Sequence, residues 1–246
     1  MNSNFKWISR SIPLIFSYFL ASAPNQKLLF LENVFTDNIH KVIFDNSWLI
    51  IIILLLTYII FEAIVHFRNR SKLLEKQCQN ICRYIYSKIE EDMGESFSNC
   101  CRVTIFKAVR TFFSGDYLKA ISRFQKKAPY INTKIKFIPE IGVVGLCYAT
   151  NTLIIENKMP DFEKSPKSYY SYSFKNYNMD EDTVNKLNTK SRFFLGIPIK
   201  CFDTERTWGI LLIDATEKVD NLSRSFARNF EDIIKHYSTI FIEGEK

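Results

Sequence analysis

The chain is poor in the residues that build metal centres and disulfide frameworks. It has only three histidines, His40, His66 and His236, among 246 residues. Its six cysteines, Cys78, Cys82, Cys100, Cys101, Cys147 and Cys201, contain no C-x-x-C pair. Zinc-finger and zinc-ribbon spacings are therefore absent, and no metal site is expected. No acid, base and nucleophile cluster together in the sequence, so enzymatic activity is not expected either. Signatures of a kinase, a phosphorylated-histidine region, a nucleotide cyclase or a DNA-binding helix pair are also missing. Any signal received by this chain is thus expected to leave it by another route.

One long apolar run is present. Trp48 to Phe61 is apolar except for Thr57 and the Tyr58 hydroxyl, and Glu62 to Phe67 extends it. Roughly 20 mostly apolar residues cross a bilayer as a helix, which predicts a transmembrane helix over 47–67. Arg68, Arg70 and Lys72 follow directly, and such basic clusters stay on the cytoplasmic side. The expected location is the cell inner membrane, with the C-terminal part in the cytoplasm and its thiols reduced. The net charge of +7 does not require nucleic acid as a partner. Its local clusters are the juxtamembrane one, which suits anionic headgroups, and Lys126-Lys127. Glu62 lies near the inner end of the span, within reach of His66 one turn on.

Upstream, Ile12 to Ala21 follows Lys6 and Arg10. Two readings stay open. Ala21-Ser22-Ala23 has the form of a signal-peptide cleavage site, with Pro24 badly placed after the cut. Alternatively Ser11 caps, and Pro13 starts, a first membrane helix, and residues 1–46 supply that helix and a short outer loop.

Residues 68–93 read as a helical connector. From Lys72 to Met93 there is no Gly or Pro, and Leu74, Cys78, Ile81, Ile85 and Ile89 recur on one helical face. That strip either pairs with its twin in a homodimer or packs on its own domain.

After Gly94, residues 102–109 and 117–124 read as a hairpin turning at Phe113-Ser114-Gly115-Asp116. Pro139 suits a helix start, and Val143, Val144, Cys147 and Tyr148 have helical spacing, with Gly142 and Gly145 permitting close packing. Leu153 to Glu156 suits a short strand, and 157–183 a long polar and aromatic excursion. Phe193–Lys200 and Trp208–Ala215 are strong strands. Leu222, Phe226, Phe230, Ile233, Tyr237 and Ile240 line one face of a closing helix. Cys147 and Cys201 sit in apolar contexts and read as small buried hydrophobes.

Three segments, Glu140-Ile141-Gly142-Val143-Val144-Gly145, Phe194-Leu195-Gly196-Ile197-Pro198-Ile199 and Trp208-Gly209-Ile210-Leu211-Leu212-Ile213-Asp214, together with the order of elements, resemble a GAF domain. The resemblance covers most of 73–243. It implies an α+β fold (α/β in the broad sense) with a central antiparallel sheet, helices on one face and a ligand pocket on the other. It also implies a small-molecule ligand and a homodimer through the connector and C-terminal helices. The cofactor stays unknown. The cyclic-nucleotide subtype is disfavoured, because Asp214-Ala215-Thr216-Glu217-Lys218 stands where those members carry an Asn-Lys pair. Cys147 is the one candidate for bilin attachment, and the paired cysteines of the methionine sulfoxide reductase branch have no convincing counterpart. By position, the pocket candidates are Phe137, Ile141, Thr150, Asn151, Arg192 and Phe193, with Tyr169, Tyr170 and Tyr172 as a cover. Arg192 is the candidate anion partner.

The expected function is a membrane-anchored sensor of a small molecule, such as a nucleotide. Its output is the membrane segment or a partner, as in antiphage membrane effectors. The alternative is a membrane-tethered protein-interaction scaffold that has no ligand.

Overall fold

The computed structural model describes residues 47–111, 115–126, 136–201, 206–219 and 224–243. The first membrane helix or signal peptide, the tip of the first hairpin, Lys127, the 203–205 turn and Leu222 lie outside the described residues. The chain divides into two units, 1–70 and 71–246.

Helix α1 spans Ser47–Cys100. In the first unit it is long and apolar enough to cross a membrane by length and composition. Many of its apolar side chains are exposed; Ile60 is 58% and Phe67 67% exposed. The Thr57 hydroxyl donates to the Ile53 carbonyl at 2.6 Å, so this polar group is satisfied within its own helix, as an apolar surrounding demands.

In the second unit α1 becomes amphipathic. Leu74, Cys78, Ile81, Ile85 and Ile89 are buried, with Cys82 and Tyr86 beside them, in one core with the sheet. The strip therefore packs on its own domain. Gly94 interrupts the helix with φ +82° and ψ 168°. Lys126 spans this break, reaching Glu90 at 3.0 Å and Glu95 at 2.7 Å.

The sheet contains β1 (Cys101–Val109), β2 (Tyr117–Phe124), β3 (Lys136–Phe137), β4 (Ile154–Glu156), β5 (Phe193–Lys200) and β6 (Thr207–Ala215). All neighbours are antiparallel in the order β3-β2-β1-β6-β5-β4. The hairpin, the short strand and the two long strands thus stand where the sequence pattern places them. β1 and β6 are central; β6 is buried along its whole length and β1 along most of it, as strands covered on both sides are.

One face carries α1 and the closing helices α5 (Arg224–His236) and α6 (Ser238–Glu243). Phe226, Phe230 and Phe241 insert there; Ile233 and Tyr237 pack at its margin. The opposite face carries α2 (Gly142–Thr150), α3 (Pro166–Tyr177) and α4 (Glu181–Asn185).

Two elements differ from the sequence reading. α2 starts at Gly142, not at Pro139, because Glu140 and Gly142 both take positive φ in the entering turn. The 157–183 excursion contains two helices. Pro166 occupies the first turn of α3, a favoured place for it, and Tyr169, Ser173 and Tyr177 recur every four residues as its buried face. Polar and aromatic composition hid that period. Asp180 caps α4, accepting from the Thr183 N–H at 2.8 Å.

Candidate functional site

Strand alternation sorts side chains onto the two faces. On β1, Val103 and Ile105 enter the core under α1, while Arg102 and Phe106 face α2 and α3. On β5, Phe193 joins the α1 side and meets Phe97 edge-on, with ring centres 5.9 Å apart. Its neighbour Phe194 faces the other way.

β2 breaks simple alternation. Ser122 pairs with Ile105 but Ala120 pairs with Phe106, leaving Ile121 as an extra residue. Such a bulge re-aims the side chains beyond it. Leu118 and Ala120 face the α2 side, and after the bulge Arg123 does so too.

Between this face and helices α2 and α3 lies a cavity of about 60 Å³. Phe106, Phe137, Val143, Val144, Met159, Met179, Phe194 and Leu212 give it apolar walls. Arg102, Arg123, Tyr169, Ser173, Tyr177 and Thr189 bring polar groups to it.

Arg102 is held by an elaborate set of partners. Its Nε donates to both Asp214 oxygens, at 2.9 and 2.7 Å, and a terminal nitrogen lies 2.6 Å from Oδ2. Another terminal nitrogen donates to Thr189 Oγ1 at 2.6 Å. The Ser191 hydroxyl donates to Asp214, and Tyr169 donates to the Ser191 carbonyl at 3.0 Å. Burial disfavours the Arg102 charge, but Asp214 more than offsets this and its pKa is raised. Burial, then Asp214, pushes the Tyr169 phenol up.

Arg123 is less provided for. Its Nε donates to Thr104 Oγ1 at 3.1 Å, and burial and the nearby Arg102 charge lower its pKa. Ser173 is fully buried in α3, and its hydroxyl has no partner.

A second polar cluster ties α3 to the sheet edge. Glu156 of β4 is buried and accepts from Tyr172 at 2.9 Å, Tyr177 at 2.5 Å and the Lys158 N–H. Tyr177 also lines the cavity, so one carboxylate anchors part of its roof.

Of the sequence-derived candidates, Phe137 and Tyr169 line the cavity. Ile141 precedes α2 and packs against the same core without lining it. Thr150 and Asn151 lie at the far end of α2. Thr150 donates to the Leu146 carbonyl at 2.9 Å, and Asn151 accepts from Thr207 at 2.7 Å. Tyr170 donates to Asn185 at 2.8 Å, and Tyr172 serves Glu156. Arg192 pairs with Asp161 at 3.2 Å, outside the cavity lining. Phe193 faces the opposite core. Arg102, Arg123, Ser173 and Asp214 were not among the candidates. The alternation of β1 signals Arg102; the bulge that aims Arg123 has no signal in the sequence.

None of the six cysteines is in a disulfide. Cys147 is buried, its thiol donating to the Thr152 carbonyl at 3.1 Å, whereas Cys201 is only half-buried.

No protein-family model matches the chain, and no curated protein sequence does. Solved structures do resemble it. A type II free methionine-R-sulfoxide reductase from Thermoplasma acidophilum is 13% identical, with TM-score 0.47, covering 71% of this chain and 96% of that one. The GAF domain region of a Geobacter sulfurreducens PCA protein is 17% identical, with TM-score 0.45 and coverages of 71% and 97%. The GAF domain of an Acinetobacter phosphoenolpyruvate-protein phosphotransferase is 10% identical, with TM-score 0.46 and coverages of 74% and 93%.

The chain's α+β fold, a six-stranded antiparallel sheet with helices on both faces, is similar to that of those GAF domains. The sheet face turned away from α1 bears the cavity, roofed by α2 and α3.

Proposed function

We propose that the chain is a membrane-anchored sensor that binds a small molecule in the cavity beneath α3. The observation that carries this reading is the cavity itself, with the unpartnered Ser173 hydroxyl and the Arg123 guanidinium on its wall. A buried unpaired hydroxyl costs about 1–3 kcal/mol, and a ligand oxygen would relieve that cost. Apolar walls with a few convergent polar groups are the usual make-up of a ligand site.

In this proposal the domain binds without turnover. The span over 47–67 holds it at the inner membrane with 71–246 in the cytoplasm. Binding alters the membrane segment or a partner, as an antiphage-type effector would. A homodimer belongs to the same reading. Pairing there falls to the outward faces of α1 and α5, because the inward strip of α1 is taken by the sheet.

The test is thermal unfolding of the detergent-solubilised full chain against nucleotides and small metabolites. A ligand at about 100 times its Kd adds about 2.7 kcal/mol, a rise of about 5–10 °C for a chain of this size. No shift with any compound favours a ligand-free scaffold.

A further inference from the structure

We infer that the cavity takes a short-chain organic monoanion, a carboxylic acid whose carboxylate meets Arg123 and Ser173 and whose tail lies along the apolar wall. The inference rests on the cavity being a ligand site, and specifies what that site selects.

Charge is the first argument. Two arginines line the cavity, but Arg102 is already neutralised by the buried Asp214 carboxylate. Arg123 makes no ion pair among the described residues, and its one hydrogen bond there uses Nε. Its terminal N–H groups remain for an acceptor, and a guanidinium suits a carboxylate in a two-pronged fashion. The bulge at Ile121 turns Arg123 to this face; regular pairing would send it to the other.

Ser173 is the second argument. It is 0% exposed, lines the same cavity and has no partner for its hydroxyl. It supplies a neutral donor in the lining of the same cavity.

Size and polarity set the rest. The volume of about 60 Å³ holds about four to six water-sized groups at 10–15 Å³ each, the scale of a three- or four-carbon acid. The remaining wall, including Phe106, Val144 and Leu212, is apolar. A dianion such as phosphate would leave a charge without a counter-charge there, which is costly.

The test compares butyrate, its neutral isostere butyramide and inorganic phosphate on the full chain in detergent, by thermal unfolding and calorimetric titration. Butyrate is expected to bind at least tenfold tighter than butyramide or phosphate. Arg123→Gln is expected to remove that preference and Arg123→Lys to keep part of it. The acid–amide comparison on the wild type needs no variant, so a misfolded Arg123→Gln does not spoil the test. Equal binding of butyrate and butyramide overturns the anion inference but leaves the ligand site standing. Tighter binding of phosphate than of butyrate overturns the carboxylate assignment. If none of the three binds, the carboxylate inference falls alone, and the screen of nucleotides and small metabolites decides the sensor reading.

Discussion

Arg102 and Asp214 are direct cross-strand partners on β1 and β6, and the arginine grips both oxygens of the buried carboxylate. The pair joins the two central strands on the cavity face. Removing one member of a buried pair strands the other, at a cost of about 3–5 kcal/mol. Asp214→Ala is therefore expected to lower the urea midpoint by that equivalent. Arg102→Met combined with Asp214→Leu is expected to recover most of the loss, since an apolar pair needs no counter-charge.

Alkaline unfolding should begin early. Burial pushes the Cys82 and Cys147 thiols from 9.0 to about 12. Burial and Glu156 push Tyr172 from 10.0 to about 12. A raised folded-state pKa gives stability that is complete below the unfolded value and lost above it. Stability is thus expected to be flat with respect to these groups below pH about 9, then to fall towards pH 12. Denaturant midpoints measured from pH 8 to 11 check this, and Cys82→Ala combined with Cys147→Ala should flatten the fall.

Much of the fold was legible in the sequence because it rests on period. The strands around Ile105, Ile197 and Leu211 are β-branched or apolar runs, and the Leu74 to Ile89 strip has helical spacing. The site was less legible because it rests on parity and register. Phe193 is the pocket candidate by position, but strand parity turns Phe194 to the cavity and Phe193 to the opposite core. Arg123 depends on one extra residue, Ile121, in β2. Arg192 reads as an anion partner by position, but its carboxylate partner Asp161 is 31 residues away in sequence. The α3 helix was hidden because its buried face is made of tyrosine and serine.

Gly145 allows α2 to approach the chain that leads into it. A Cβ there would stand 2.3 Å from the Ile138 carbonyl oxygen, so the backbone must move. Gly145→Ala is expected to cost about 1–3 kcal/mol, as overpacking does, and to perturb the cavity beside Val143 and Val144. Chemical denaturation gives the first quantity. Loss of ligand-induced stabilisation reports the second.

The membrane reading has its own check. Leu55 is near the middle of the apolar segment of α1, where an arginine costs about 2.5–3.5 kcal/mol to insert. Leu55→Arg is expected to reduce the share of the chain recovered in the carbonate-washed membrane fraction. Unchanged recovery of the variant would contradict a span at this position.

The central claim is that the cavity beneath α3 is where a small molecule binds. Ser173→Leu places an apolar side chain in that space and removes the unpartnered hydroxyl. Thermal unfolding of the wild type and this variant, run in parallel with the same compounds, is the most direct measurement. A compound that raises the wild-type Tm is expected to leave folded Ser173→Leu unmoved. Equal stabilisation of both proteins, or of neither by any compound, would contradict the claim.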